Sequence, residues 1–221
     1  MPDYYHSFFN LLFIGIVALF PVVNPIGSAL MVNHYFSHLT KPERRRVVIK
    51  ICLYAFFLCT VTLLAGHYIL ELFGITIPVI QLAGGIMICK TGWEFLSDNS
   101  SQDKNADPRY KIIDAKGIQE LIFFPITFPI TTGGGTMAVL FTLGAHSENV
   151  NLSTYFLNNT AVELAIIIMC ILVYILYLNT NVLLRYAGSN GEKVINRIMA
   201  FLTFCVGLQI AATGLKALFK V

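Results

Sequence analysis

Long apolar runs alternate with short polar stretches along the whole chain. A bilayer core is about 30 Å thick, so a helix needs about 20 apolar residues to cross it. Six runs reach that length, with approximate bounds Ser7–Phe36, Val47–Leu70, Ile77–Leu96, Ile118–Leu143, Leu157–Leu178 and Val194–Leu218. The pattern therefore predicts an all-α membrane protein with six transmembrane helices.

The composition of the 221-residue chain supports this fold class. Hydrophobic residues make up 56% of the chain and charged residues 12%, and the mean hydropathy is +0.71. An ordinary soluble domain carries roughly 25% charged residues, so the expected partner is the lipid bilayer. The net charge of +3 is too small to indicate binding of nucleic acid. The five cysteines lie inside apolar runs without metal-ligand spacing, so we expect no metal and no cofactor.

The positions of Lys and Arg predict how the chain is oriented in the membrane. Cytoplasmic loops of membrane proteins hold an excess of these residues. Most of the 15 basic residues flank the first, third and fifth connections, around Arg44, Arg109 and Lys193. The opposite side holds only Lys216 and Lys220, near the carboxyl end. This distribution predicts six spans with both termini in the periplasm.

A short motif occurs twice and divides the chain into two related halves. The sequence FPVVNPI at Phe20–Ile26 returns as FPITFPI at Phe124–Ile130, each time within the first span of a three-span half. Since three is odd, the second half crosses the membrane in the opposite direction, which is the inverted-repeat architecture of many secondary transporters. We expect a first three-helix repeat over residues 1–96, a cytoplasmic linker over 97–117 and a second repeat over 118–221. The sequence leaves the oligomeric state open.

Proline and glycine in both copies of the motif predict that the first helix of each repeat is broken. Proline lacks an N–H group and its ring clashes with the carbonyl four residues earlier. In the first span the break is expected near Pro21–Gly27. In the fourth span Pro125 and Pro129 precede the run Thr131–Thr136, which contains three consecutive glycines. Non-helical backbone survives at membrane depth only inside protein or beside water, so the two breaks should meet and line a shared polar cavity.

The chemistry of such a cavity suits a small zwitterion. Free N–H groups at the start of a half-helix attract a carboxylate, while free carbonyls and side-chain oxygens accept hydrogen bonds from an ammonium group. The alternative is that the breaks are kinks that only help the helices to pack. The predicted substrate-binding residues are Asn24, Pro25, Gly27, Ser28, Thr127, Pro129, Thr131, Thr132, Gly133, Gly134, Gly135 and Thr136.

At these residues the chain resembles the MarC family of bacterial inner-membrane proteins, which includes small neutral amino-acid transporters. The resemblance covers almost the whole length and rests on Asn24–Gly27, on Ile77-Pro78 with the following Gln81–Gly85, and on Pro125–Thr136. The second-half motif departs from the family pattern, because Gly134 stands where that pattern has proline. The resemblance implies transport of glycine, alanine or similar small neutral amino acids across the bacterial inner membrane.

Charged residues within the spans are candidates for the coupling of transport to an ion. Glu163 lies early in the fifth span and could bind a proton or a sodium ion, or it could face the interface beside Asn158 and Asn159. Lys90 and Glu94 lie one helical turn apart and are expected to form an anchoring pair at the membrane surface. The sequence contains no HExxH or GxSxG motif, so we expect that the protein is not an enzyme. A secondary transporter with alternating access is the favoured function; a passive channel or an exporter of another metabolite or drug remains the alternative.

Overall fold

A computed structural model describes residues 2–36, 38–97, 117–145 and 152–219. All regular elements in these ranges are helices. They are α1 Pro2–Val23, α2 Pro25–Phe36, α3 Lys41–Leu72, α4 Ile77–Ser97, α5 Gly117–Leu121, a π-helical segment at Ile122–Thr131, α6 Gly134–Ala145, α7 Leu152–Leu178 and α8 Thr180–Phe219. The predicted all-α membrane fold is confirmed. The predicted linker between the halves lies almost entirely outside the described residues.

Four or five of the six predicted spans are long and apolar enough to cross a bilayer. Four of them qualify without a bend of more than 40°: Phe8–Asn33, which has a one-residue interruption at Asn24, Lys41–Gly66, Tyr155–Leu178 and Arg197–Phe219. A fifth consists of Gly117–Thr131 and Gly134–Gly144, which meet at an angle of 63°. The third predicted span corresponds to α4, a helix of 21 residues. It is less apolar than the others because it contains Gln81, Lys90 and Glu94.

We expected a loop between the fifth and sixth predicted spans, but this connection is mainly helical. Helix α7 ends at Leu178 and α8 already begins at Thr180, so most of residues 179–193 are helical. Helix α8 is therefore 40 residues long, although only Arg197–Phe219 is apolar enough to span. Polar residues mark where the chain leaves the apolar region, but they do not prevent a helix from continuing in the polar region.

The core of the protein lies between α1, α3, α7 and the π-helical segment. Its fully buried side chains include Leu19 on α1, Ile51 on α3, Ile126 in the π-helical segment and Ile166 on α7. Many large apolar side chains on the outer faces of the helices are exposed instead. This distribution is the one expected of a protein whose outer surface faces lipid tails, since lipid removes the need for a polar exterior.

Helices α4 and α8 form a closely packed pair along most of their lengths. A Cβ atom added at Gly85 would lie 2.4 Å from the backbone nitrogen of Ala211, and one at Gly92 would lie 2.7 Å from that of Phe204. At the other end, a Cβ at Gly214 would lie 2.6 Å from the carbonyl oxygen of Pro78. Earlier positions on α4 thus contact later positions on α8, so the two helices are antiparallel. Glycine is required because the backbones themselves are in contact.

Candidate functional site

The first broken span is interrupted at one residue, Asn24, between α1 and α2. Its φ of 44° lies in the left-handed region, which asparagine tolerates better than most residues. The Asn24 side chain folds over the start of α2, where Oδ1 accepts a hydrogen bond from the backbone N–H of Gly27 at 3.1 Å. A Cβ at Gly27 would lie 2.4 Å from Nδ2 of Asn24. Gly27 is therefore needed because the capping side chain takes its space.

The second broken span is interrupted over a longer stretch. Phe124 and Phe128 have extended backbone angles, with φ near −120° and ψ near 120°, which is the conformation that a following proline favours. The peptide bonds before Pro125 and Pro129 are cis. Thr132 is also extended, and α6 starts anew at Gly134. The second predicted break is thus confirmed and bends its span by 63°. The first is only a one-residue interruption, because the N–H of Asn24 still donates to the carbonyl of Phe20 and that of Ser28 to the carbonyl of Asn24.

Three threonine side chains satisfy the backbone of the second break. Thr127 Oγ1 donates to the carbonyl of Ile122 at 2.7 Å, and Thr131 Oγ1 donates to that of Ile126 at 2.7 Å. Both the backbone N–H and the hydroxyl of Thr132 donate to the carbonyl of Thr127, at 2.8 and 3.0 Å. The hydroxyl groups therefore give additional donors to carbonyls of the π-helical segment, and the Thr127 carbonyl accepts from both a backbone N–H and a hydroxyl.

The end of α1 and the second break share one narrow cavity of about 20 Å³, which is room for about one water molecule. Helices α3 and α7 complete its walls. The lining residues are Leu19, Val23, Cys52, Ala55, Cys59, Thr131, Thr132, Thr136, Ile166, Met169, Cys170 and Val173. The accessible wall is apolar, so the polar cavity expected from the sequence is not what the structure shows. The three threonines of the second break line the wall with their apolar atoms.

Two buried hydroxyl groups near the breaks have no hydrogen-bond partner in the described part of the chain. They are Oγ of Ser28, on the first turn of α2, and Oγ1 of Thr136, on the first turn of α6. Both side chains are almost completely buried, at 3% and 1% exposure. The first N–H groups of α6 also lack partners within the helix. Because buried polar groups are normally satisfied, these hydroxyls are candidates to bind a ligand.

Tyr177 on α7 connects the second break with α2. It was not among the site residues predicted from the sequence. Its hydroxyl lies 2.8 Å from Oγ1 of Thr131. Its ring packs edge-on against Phe36 at the end of α2, with centroids 6.1 Å apart. The Ser28 hydroxyl lies near the same phenol without making a hydrogen bond of acceptable geometry. A tyrosine in an apolar helix gives no signal by sequence alone, because its position between the breaks depends on tertiary packing.

Arg44 is a second residue whose role the sequence did not reveal. It was assigned only to the cytoplasmic charge excess, yet its side chain is buried at 8% exposure. The guanidinium donates from Nε to the carbonyl of Tyr177 at 3.0 Å and also bonds Oγ1 of Thr180. It lies 5.1 Å from the centroid of the Phe36 ring. A cation is favourable here because the carbonyl of Tyr177 lies at the C-terminal end of α7, which carries the negative end of the helix dipole.

The twelve predicted site residues fall into four groups, of which the last contains the three glycines of the second break. Thr131, Thr132 and Thr136 line the cavity. Asn24, Pro25, Gly27 and Ser28 are buried beside the first break, and Thr127 is buried within the second, but none of them lines it. Pro129 is exposed.

The three glycines of the second break leave little room for a ligand. A Cβ at Gly135 would lie 2.2 Å from Cγ1 of Ile88, and one at Gly134 would lie 3.0 Å from Met87. A Cβ at Gly133 would lie 3.1 Å from the carbonyl oxygen of Pro129. We expected these glycines to admit a small ligand to the backbone. The structure uses the space for helix packing.

Glu163, the candidate coupling residue, lies on α7 one to two turns from the cavity. Its Oε1 accepts a hydrogen bond from Oγ1 of Thr60 at 2.5 Å. Its Oε2 is buried without a hydrogen-bond partner among the described residues. Lys90 and Glu94, by contrast, form the expected exposed pair, with Nζ and Oε1 3.8 Å apart. In the ranges that the structure covers, no three His, Cys, Asp or Glu side chains are arranged to hold a metal ion.

Comparison with known proteins decides the family. The model of the MarC family, described as integral membrane proteins, matches residues 9–219. The chain belongs to the MarC family. The inner membrane protein MarC of Escherichia coli strain SMS-3-5 is 23% identical over 214 residues, covering 96% of this chain and 97% of that protein. The MarC proteins of strains K12 and CFT073 match to the same extent.

Membership of the MarC family places the chain in the bacterial inner membrane as a multi-pass protein. No solved structure matches this MarC chain. The family resemblance seen in the sequence is therefore confirmed, whereas the substrate is addressed below as a proposal.

Proposed function

We propose that this MarC protein is a secondary transporter that moves small neutral amino acids, of the glycine and alanine type, across the inner membrane. The observation that carries the proposal is the meeting of two broken spans around one narrow cavity. The buried hydroxyls of Ser28 and Thr136 lie beside it without partners in the described residues. Broken helices that meet inside a bundle are the usual construction of a transporter site.

The polar groups near the cavity suit the two ends of a zwitterion. The free N–H groups on the first turn of α6 are suited to the carboxylate, because a helix N-terminus carries partial positive charge. The hydroxyl oxygens of Ser28 and Thr136 can accept hydrogen bonds from the ammonium group. The walls are aliphatic, for example at Leu19 and Ile166, so they suit a small apolar side chain once the surrounding helices move apart. A compact neutral amino acid therefore matches the site better than a charged or bulky one.

The proposed architecture has six spans in two inverted three-helix repeats, with α4 as the third span and α8 containing the sixth. The antiparallel packing of α4 on α8 supports this arrangement, because the last helices of two inverted repeats must cross in opposite directions. With the basic connections on the cytoplasmic side, both termini lie in the periplasm.

Alternating access is the proposed mechanism. The cavity is narrow and its walls come from both halves, so a solute can enter or leave only when the helices around it separate on one side. Helices α4 and α8, one from each half, are in backbone contact and are expected to stay together. The contacts expected to change are those around the cavity, including the contact of Tyr177 with Phe36 between the halves.

The test is uptake into proteoliposomes containing the purified protein. Labelled alanine and glycine should enter in a saturable manner, and excess unlabelled alanine inside the vesicles should drive counterflow of the label. Flux that rises linearly with concentration and shows no counterflow identifies a passive channel. Saturable transport of other metabolites or drugs, without competition by alanine, identifies the exporter alternative.

A further inference from the structure

A second polar cluster lies on α7 outside the two breaks. Three buried side-chain oxygens have no hydrogen-bond partner within the described ranges: Oδ1 of Asn158, Oδ1 of Asn159 and Oε2 of Glu163. Asn159 is more than nine-tenths buried, at 8% exposure. It precedes Glu163 by four residues, so the two side chains are neighbours on one face of the helix. All three oxygens are acceptors, and none of them receives a hydrogen bond within the described ranges, although each asparagine side chain also carries an Nδ2 donor.

The Glu163 carboxyl group has one donor, from the neighbouring helix α3. Thr60 Oγ1 donates to Oε1 at 2.5 Å, while Oε2 is left without a donor. Glu163 lies eight residues inside the span that begins at Tyr155, or about 12 Å along the helix axis. At that depth an ionised carboxylate is costly unless a cation or further donors accompany it.

The titratable side chains that face Glu163 cannot supply a positive charge. They are Cys59 on α3 and Cys170 on α7, and both are free thiols. Elsewhere in this chain a carboxylate has a cationic partner, because Lys90 lies one turn before Glu94 and forms an ion pair with it. Among the described residues, nothing comparable accompanies Glu163.

We propose that Glu163 binds the proton whose movement drives transport. A proton on Oε2 removes the negative charge and converts this oxygen into a donor, for which Oδ1 of Asn159 is the neighbouring acceptor. A single proton bound to Oε2 thus leaves neither oxygen without a hydrogen-bond partner. A hard metal cation would instead require a shell of about six or more oxygen ligands, whereas the described side chains here offer only the oxygens of Asn158, Asn159, Glu163 and Thr60, and Asn158 lies on a different face of α7 from Glu163. The inference rests on the proposed transport function and specifies its coupling ion.

The cluster is connected to the cavity through the two thiols. Cys59 and Cys170 face Glu163 and also line the cavity wall beside the second break. In each cycle an O–H bond forms when Glu163 takes a proton from water on one side. The same bond breaks when the proton passes to water on the other side, and no electrons are transferred. The neutral form allows α3 and α7 to remain packed, while the anion favours separation of these helices toward water.

The experiment compares the wild-type protein with Glu163→Gln in proteoliposomes. Glutamine keeps the shape of the side chain but cannot gain or lose a proton. Labelled alanine exchange without any gradient tests the proposed function. Accumulation driven by an imposed pH gradient, and separately by a sodium gradient at equal pH, tests this inference. We expect pH-driven accumulation of at least several-fold in the wild type, and a complete loss of the response to the pH gradient in Glu163→Gln. Glu94→Gln, at the exposed ion pair, is the matched control and should behave as the wild type.

Three results would overturn the proposal. Wild-type exchange that responds only to sodium, or to neither gradient, overturns the proton inference alone. A normal response to the pH gradient in Glu163→Gln does the same. Absence of exchange in the wild type overturns the proposed transport function and this inference with it.

A second pair of variants covers the case in which Glu163→Gln does not fold. Thr60→Val removes the hydroxyl that donates to Oε1 of Glu163, so accumulation driven by the pH gradient should fall several-fold while exchange without a gradient continues. Thr60→Ser keeps the hydroxyl and should restore the accumulation. Unchanged accumulation in Thr60→Val contradicts the proposal, and so does an equal loss of exchange and accumulation, which is what a purely structural role of Thr60 would give.

Discussion

The hydroxyl of Tyr177 lies 2.8 Å from Oγ1 of Thr131 and joins α7 to the second broken span. Thr131 also donates to the carbonyl of Ile126, so its hydroxyl belongs to both a tertiary contact and the backbone of the break. Because the Tyr177 ring packs on Phe36 of α2, one side chain contacts both broken spans. The helix movement that the proposed transport requires would therefore change the surroundings of Tyr177.

Replacing Tyr177 with phenylalanine tests that contact. Tyr177→Phe keeps the ring but removes the hydrogen bond to Thr131, which should cost about 1 kcal/mol of stability and reduce transport. The thermal midpoint of the purified protein in detergent and the initial rate of alanine uptake measure the two effects. Tyr174→Phe, on the same helix, is the control and should change neither. A Tyr177→Phe protein with wild-type stability and rate would show that the contact is not used.

The buried guanidinium of Arg44 is expected to hold the end of α7 in place. Arg44→Gln removes the charged donors to the carbonyl of Tyr177 and to Thr180, and should cost about 2 kcal/mol of stability. Arg44→Lys keeps the charge but loses the forked geometry, so its loss should be intermediate. Thermal unfolding in detergent gives the order, with the exposed Arg45→Gln as control. Equal stability of Arg44→Gln and Arg45→Gln would contradict the assigned role.

At Asn24 the backbone conformation and the side-chain cap can be separated by substitution. Asn24→Gly retains access to the positive φ and loses only the cap, so it should cost less than about 1 kcal/mol. Asn24→Ala loses the cap and also strains the left-handed backbone, and should cost about 2 kcal/mol. Thermal unfolding measures both, and Asn10→Ala on an exposed face of α1 is the control. A glycine variant as unstable as the alanine variant would contradict this account.

A compensating mutation should restore stability after substitution of Gly135 but not after substitution of Gly85. Gly135→Ala places a Cβ against the side chain of Ile88 and should cost about 1–3 kcal/mol. Adding Ile88→Ala should relieve the clash, so the double variant loses less than the sum of the single losses. Gly85→Ala instead meets backbone atoms of α8, and no side-chain truncation can relieve it. Thermal unfolding tests both, with Ala83→Leu on the exposed face of α4 as control. Rescue of Gly85→Ala by a side-chain truncation on α8 would contradict the backbone contact.

Most of the fold could be predicted from the sequence because hydropathy follows directly from the lipid environment. Apolar runs located the helices, and the proline and glycine patterns located both breaks, since these residues act locally on the backbone. The predicted loop before the sixth span was wrong, because polar residues such as Arg185 and Lys193 can continue a helix outside the apolar region. The inverted repeat and the topology of the termini stay predictions.

The functional site could be predicted only in part. Thr131, Thr132 and Thr136 were found through their place in the second break. Tyr177 and Arg44 were missed because their importance comes from contacts with residues far away in the chain. The roles of Asn24 and Gly135 differ from the expectation for a similar reason. The sequence shows that Asn24 can bond and that Gly135 leaves space, but the fold determines which group uses the bond or the space.

The most direct measurement for the account as a whole is equilibrium binding of labelled alanine to the purified protein. Binding should be saturable, and Ser28→Ala and Thr136→Val should each weaken it at least tenfold, because the substrate is proposed to satisfy those two buried hydroxyls. The control is Thr160→Val. The hydroxyl of Thr160 is exposed and donates to the carbonyl of Phe156 at 2.6 Å, so this variant should bind alanine as the wild type does. Wild-type affinity in both site variants, with normal folding, would contradict a substrate site between the two broken spans.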